Sequence, residues 1–261
     1  MDMKNRLGNF ITQRDRDTLL MIYNYDSCGY AHVRRKLFSD VKESVFWTRM
    51  TKLRKAGYIK ATRMPALTGI GCGKDLLDLD SKGRQVIAEE WDCPLKSLRR
   101  PRKISRAIPA DHQHGICDFR VALELACMAS HFGGEMTRIA TLIQWINERE
   151  LRGKIDRTPD GMFTLEVNGT YQVFRLELDR STIDDSKRMV ERLAAYLKGE
   201  DRSPVLWVVP DEKRAAKLSE WALTAANGGD ATMFWITTAG QDPLGPVWQV
   251  VGGPMNARLT P

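Results

Sequence analysis

Between Thr158 and Thr182 the chain reads TPDGMFTLEVNGTYQVFRLELDRST, two alternating runs joined by an Asn-Gly pair. A Pro-Asp-Gly turn opens the first run and the Asn-Gly turn folds the second back on it, which predicts a β-hairpin. In Val173–Asp179 apolar and charged residues alternate, and successive side chains of a strand point to opposite faces. Phe174, Leu176 and Leu178 are therefore expected on one face and Arg175, Glu177 and Asp179 on the other. Asp160, at the mouth of the preceding strand, can approach Glu177 and Asp179 across the hairpin. Three gathered carboxylates repel one another unless a cation or protons neutralise them. The expectation is a divalent-metal site, and its rival is a set of salt bridges with Arg157, Arg175 and Arg180.

The elements around this hairpin set its class. Cys117–Phe132 has the pattern of a helix, followed by a strand or short helix near Ile139–Ile146. Ile183–Lys198 is expected to be a helix whose buried stripe is Met189, Leu193, Tyr196 and Leu197. Pro204–Val209 and Thr232–Thr237 are continuous apolar runs of the kind that form buried strands, with a helix over Glu212–Ala226 between them. This order predicts a mixed α/β domain.

The first part of the chain is organised differently. Thr12–Tyr25 starts with a threonine cap and continues as an amphipathic helix, and a short helix is expected near Ala31–Leu37. Within Val41–Ile59, Phe46, Met50 and Leu53 form a helical stripe that stops at Gly57. Ser44, Trp47, Thr48, Thr51, Lys52 and Lys55 fall on other, largely solvent-facing positions. Ile59–Arg63 and Leu76–Asp80 read as two strands about a Gly- and Pro-rich segment, Pro65–Gly73, and a further helix starts after Asp80.

Charge separates the two parts. Residues 1–109 hold 23 Lys and Arg against 12 Asp and Glu, whereas residues 110–261 hold 17 against 21. A basic half of this size is what a nucleic-acid partner would select; a solvated charged surface is the plainer alternative. Pro94–Pro109 carries Lys96, Arg99, Arg100, Arg102, Lys103 and Arg106 with three prolines, and reads as an extended basic linker able to track phosphates, or as a hinge. The expected division is 1–92, a linker over 93–111, and 112–261. Five dispersed cysteines without zinc spacing, no apolar run of membrane-spanning length and no secretory leader point to a cytoplasmic protein with reduced thiols.

The segment L-x-x-A-G-Y-I, the hairpin after it and L-x-S-K-G-R resemble winged helix-turn-helix domains. The resemblance implies that the third helix enters the major groove of double-stranded DNA, with Trp47, Thr48, Arg49, Thr51 and Lys52 at reading positions. Pro159-Asp160 before one strand and Glu177-x-Asp179 on the next resemble the PD-(D/E)XK nucleases, a restriction-endonuclease-like fold. That likeness implies Mg²⁺ or Mn²⁺ held by Asp160, Glu177 and Asp179, with Glu148 either a fourth ligand or a solvated helix residue. The superfamily's lysine position holds Asp179, so Lys187, or Arg175 and Arg180, would substitute.

Across most of the chain, His114-x-x-x-Asp118-x-Arg120, Trp145-x-x-Glu148, Pro159-Asp160-Gly161 and Glu177-x-Asp179-Arg180-x-Thr182 after a winged helix resemble the plasmid replication-relaxation family and MOB-C mobilisation relaxases. The resemblance implies a protein of a mobile element that binds an origin or operator and nicks or relaxes DNA by metal-activated water. Its rivals are a non-cutting regulator or replication initiator that uses the second half for partner docking or as a homodimer. His114 would orient a phosphate or catalytic group, or serve as a hydrogen-bonded structural histidine. Tyr196 lies on an apolar stripe, which favours a core role over a nucleophilic one.

Overall fold

The computed structural model describes residues 11–64, 73–101, 104, 107–130, 140–181 and 185–260. The chain forms two compact units, Met1–Cys117 and Asp118–Pro261.

In the first unit, α1 (Gln13–Asn24), α2 (Tyr30–Leu37) and α3 (Glu43–Lys55) precede a hairpin of β1 (Ile59–Arg63) and β2 (Asp75–Leu79), then α4 (Ser81–Glu90). The start of α1 is fixed by a reciprocal cap: the Asp15 amide donates to Thr12 Oγ1 at 3.3 Å and the Thr12 amide to Asp15 Oδ2 at 2.7 Å. The α3 stripe behaves as its spacing predicts, with Phe46, Met50 and Leu53 essentially inaccessible. Gly57, at φ +80°, ends it in the left-handed region that favours glycine. β1 and β2 pair antiparallel from Ile59 with Leu79 to Arg63 with Asp75, while residues 65–72 between them lie outside the described residues.

The basic segment is not an extended linker where it is described. Leu95–Ser97 forms a 3₁₀ turn and Leu98 is buried. Arg84 donates to the carbonyls of Leu95 and Leu98, and Arg99 donates through its backbone amide to the Tyr23 hydroxyl and through Nη2 to the Tyr23 carbonyl, each at 2.9 Å. The Arg99 guanidinium lies 4.7 Å from the Tyr23 ring centroid. These bonds hold the segment against α1 and α4. Arg102 and Lys103 lie outside the described residues. Helix α5 (Ala107–Ser130) follows, and the boundary between the units falls within it.

In the second unit, β3 (Ala140–Asn147), the short α6 (Glu148–Leu151), β4 (Gly161–Val167), β5 (Thr170–Leu178), α7 (Ser186–Lys198), β6 (Val205–Val209), α8 (Glu212–Ala226), β7 (Phe234–Thr238) and β8 (Gln249–Val250) follow in order. They build a six-stranded sheet whose spatial order is the chain order. β3, β4 and β5 are antiparallel, β5, β6 and β7 parallel, and β8 antiparallel to β7. The Asn168-Gly169 turn has both residues at positive φ, +51° and +80°, the twist that joins adjacent strands tightly.

Both faces of this sheet are covered. One carries stacked rings, with Trp145 and Phe163 centroids 5.5 Å apart and Phe163 and Phe174 5.3 Å apart, and Phe119 of α5 beside Phe163. On the other, Met189, Leu193 and Tyr196 of α7 and Leu218 and Trp221 of α8 pack on Val205, Trp207, Val209, Phe234 and Ile236. Gly161 is needed at the start of β4, where a Cβ would meet the Trp145 ring at 2.8 Å. Every residue from Phe174 to Asp179 is buried. The charged side of β5 therefore does not face water, because α7 crosses over it.

Candidate functional site

Burying that charged side forces each carboxylate to find a cation or a donor. Glu177 is completely inaccessible. Arg192 Nη2 donates to its Oε2 at 2.6 Å, and the Tyr196 hydroxyl donates to Oε1 in a very short bond. Arg192 and Tyr196 are one helical turn apart on α7, so both reach the same strand position. The guanidiniums of Arg175 and Arg157 lie 5.0 Å and 5.6 Å from the Tyr196 ring, and that of Arg192 is 5.1 Å from the Trp207 ring.

Asp179 is fixed by Arg214 of α8, whose Nε donates to Oδ2 at 2.5 Å, and by the Ser181 amide, which donates to Oδ1 at 2.7 Å. Asp160 Oδ2 accepts the Leu178 amide at 2.8 Å, and the Asp160 amide donates to the Leu176 carbonyl. Asp160 thus extends the β4–β5 ladder through its side chain. Glu148 accepts from Arg152, one turn along the chain, at 2.6 Å.

Electrostatics reflects this enclosure. Burial, with the nearby Asp160 charge adding to it, pushes the Glu177 carboxyl up to about 7, against the opposing pull of Arg192. Burial also raises the Tyr196 hydroxyl, and the Glu177 charge raises it further. Tyr196 is 1% exposed and its hydroxyl donates a hydrogen bond to Glu177, the arrangement of a core group.

The structure brings Asp160, Glu177 and Asp179 to one region of β4 and β5. Yet no group of three His, Cys, Asp or Glu among the described residues is arranged to hold a metal ion. Arginines and a tyrosine stand against the oxygens a cation would need, so this donor set does not fit Mg²⁺ or Mn²⁺ as arranged. Among the arginines expected as structural partners, Arg175 sends its Nη2 to the carbonyls of Asp201 and Ser203, and Arg157 lies over Tyr196. Arg192 and Arg214, from the next two helices, pair with Glu177 and Asp179.

Lys187 is exposed on the first turn of α7, where its amide is capped by Asp185. His114 belongs to the first unit. Its Nε2 is 3.1 Å from the Asp75 carbonyl and its ring centroid 5.1 Å from that of His32.

The α3 residues divide. Ser44, Trp47, Thr48, Lys52 and Lys55 are exposed, and Thr51 is half-buried. The Trp47 indole donates to Glu43 at 3.1 Å and rests 5.0 Å from the Tyr30 ring, which holds it out on the helix surface. Arg49 is placed differently: its Nε donates to Asp15 Oδ1 at 2.6 Å and its Nη2 to Asp15 Oδ2, so it ties α3 to α1. Asp15 is itself buried, yet its carboxyl is held below the usual range: the bonds from Arg49 and Thr12 outweigh the opposing effect of burial.

The molecule is thus a two-unit protein with an exposed helical surface in one unit and an arginine-locked carboxylate cluster in the other. The chain belongs to the replication-relaxation family, whose model matches residues 19–199 and so spans both units. Membership indicates a role in replication or mobilisation. No curated protein matches the chain. No helix among the described residues is long and apolar enough to cross a membrane.

Proposed function

We propose that the protein binds double-stranded DNA at an origin or operator through α3, and that it acts as a regulator or initiator that does not itself cut. In this reading α1–α3 and the β1–β2 hairpin form a winged helix-turn-helix. α3 is the reading helix, with Trp47, Thr48 and Lys52 meeting base edges and Ser44 and Lys55 meeting phosphates. The observation that carries the non-cutting part is the occupation of Glu177 and Asp179 by Arg192, Tyr196 and Arg214. With these partners in place the second unit serves as a rigid platform, suited to holding a partner or a second copy.

Metal-dependent nicking by a PD-(D/E)XK-like unit is the second reading. One observation favours it: Asp160 lies close enough to Glu177 for its charge to raise the Glu177 proton affinity. Such mutual repulsion is relieved when a divalent cation binds. Binding one would require Arg192 to leave.

Two measurements decide between them. Duplexes selected from a random pool should bind the protein, and Trp47→Ala or Lys52→Ala should weaken that binding by ~1–3 kcal/mol. Unchanged affinity and preference in both variants would remove the α3 assignment. Supercoiled DNA carrying the selected site should stay supercoiled with Mg²⁺ or Mn²⁺; conversion to open circles that Glu177→Gln abolishes would establish the nickase.

A further inference from the structure

The N-terminal turns of α3 present none of the side chains that form paired hydrogen bonds with a purine. The helix, ESVFWTRMTKLRK, has no Asn or Gln to bridge the two edge groups of adenine. Arg49 has Nε and Nη2 both turned onto Asp15, so its fork is closed to guanine. Arg54 lies in the last turn, beyond the N-terminal turns through which a reading helix meets base edges. What those turns do present is methyl groups. Val45 is 52% exposed. Thr48, three residues on and therefore on the same face, is also exposed, and its hydroxyl donates to the Ser44 carbonyl at 2.7 Å. That bond engages the hydroxyl proton and leaves the methyl as the group Thr48 offers a partner. The fold does not call for a valine here, since a β-branched residue is a poorer helix former than alanine and Val45 gains little from packing.

We infer that Val45 and Thr48 recognise the C5-methyl groups of thymine in the major groove, so that the duplex this protein selects carries thymine beneath them. The inference rests on the DNA-binding reading of α3 given above. Charge chooses this occupant for the exposed apolar side chains. Lys42, Lys52 and Lys55 are exposed around them. Glu43, the one acidic residue of α3, accepts from the Trp47 indole and stands 3.5 Å from Arg34, so the surface suits a polyanion. Among the four standard bases only thymine displays a methyl in the major groove, and apolar side chains such as the threonine methyl are its natural contacts. Lys52, one turn after Thr48, adds a donor for the acceptors of a neighbouring guanine.

The test uses the full chain and a duplex selected from a random pool, synthesised with thymine or with deoxyuridine, which pairs identically and lacks the methyl. Affinities are read by fluorescence anisotropy. Uracil in place of the selected thymines should weaken binding by about fourfold for each methyl contacted, the worth of one buried methyl-sized group. Val45→Ala should unfold no lower than wild type, bind the thymine duplex more weakly, and bind the uracil duplex as wild type does. Thr48→Ser, which keeps the hydroxyl and deletes the methyl, should narrow the thymine-to-uracil ratio in the same way. A selected site without thymine, equal affinity of the wild type for the two duplexes, or a full thymine preference in both variants overturns the inference. Lys52→Ala separates the two levels. If it binds the selected duplex as wild type does, α3 does not contact DNA and the inference falls with that reading. If it binds more weakly while wild type holds thymine and uracil duplexes equally, methyl recognition alone is overturned.

Discussion

The polar residues of α3 and those of β5 look equally functional in sequence, but the fold treats them in opposite ways. α3 covers the core of its unit with one stripe and leaves Ser44, Trp47, Thr48, Lys52 and Lys55 in solvent. β5 lies inside a sheet covered on both faces, so Arg175, Glu177 and Asp179 are drawn into the interior. Polar groups in water can be exchanged at little cost to the fold and are free to meet a partner. Polar groups in the interior must be matched atom by atom. Spacing locates both sets; only the neighbouring elements determine which of the two roles each set plays.

The largest effect expected from this contrast is in the second unit. Arg192→Met strands a wholly buried carboxylate, and above neutral pH it should destabilise the protein by ~3–5 kcal/mol in urea unfolding. A loss below about 1 kcal/mol, the scale of an exposed ion pair, would show that Glu177 does not depend on Arg192.

The pH dependence of stability comes next. The Glu177 carboxyl is raised to about 7 in the fold from an ordinary 4.5, so the native state holds the proton more tightly than the unfolded chain. Its stabilising contribution is complete below the unfolded value and is lost as pH rises through the folded one, at up to about 1.4 kcal/mol per pH unit between them. Urea midpoints across that window should fall with rising pH, and Glu177→Gln should flatten the fall. A wild-type profile identical to that of the variant would mean Glu177 titrates as it does in water.

A smaller effect sharpens the comparison within α3 itself. Arg49→Met removes the partner of buried Asp15 while Thr12 still bonds it, and should cost ~1–3 kcal/mol of stability. If Arg49 instead reads DNA, affinity would drop with no change in unfolding. The smallest effect is for Lys52→Ala, whose stability should stay within ~0.5 kcal/mol of wild type. A larger loss would show that the outer face of α3 is packed against something.

Much of the fold was legible because it rests on local signals. The α1 cap at Thr12, the α3 stripe ending at Gly57 and the Asn168-Gly169 turn each depend on residues a few positions apart. β6 and β7 were visible as continuous apolar runs, while the two-residue β8 carries too little pattern to be recognised. The candidate site was legible in its members and not in its pairing. Arginines adjacent in sequence, Arg157, Arg175 and Arg180, were the natural partners for the carboxylates. The arginines that bond Glu177 and Asp179, Arg192 and Arg214, lie 15 and 35 positions beyond them and arrive on helices that cross the sheet. One signal was available: Arg192 and Tyr196 share a helical face with Met189, and a charged residue on an otherwise apolar stripe needs a buried counterpart. Alternation along β5 showed which residues share a face, but whether a helix covers that face depends on elements further along the chain.

The position of Arg192 and Tyr196 on α7 also bears on how the chain reaches its final state. β4 and β5 are joined by a two-residue turn, and hairpins of this kind close in ~1–10 μs. Parallel pairing of β5 with β6 spans the α7 crossover and comes later, because the longer loop must be closed first. During that interval Glu177 is hydrated on a two-stranded ribbon. The water leaves when α7 docks, and α7 itself carries the guanidinium and the hydroxyl that replace it. Dehydration and neutralisation are therefore one event along the folding path, and no stage requires a bare carboxylate to wait in a dry interior.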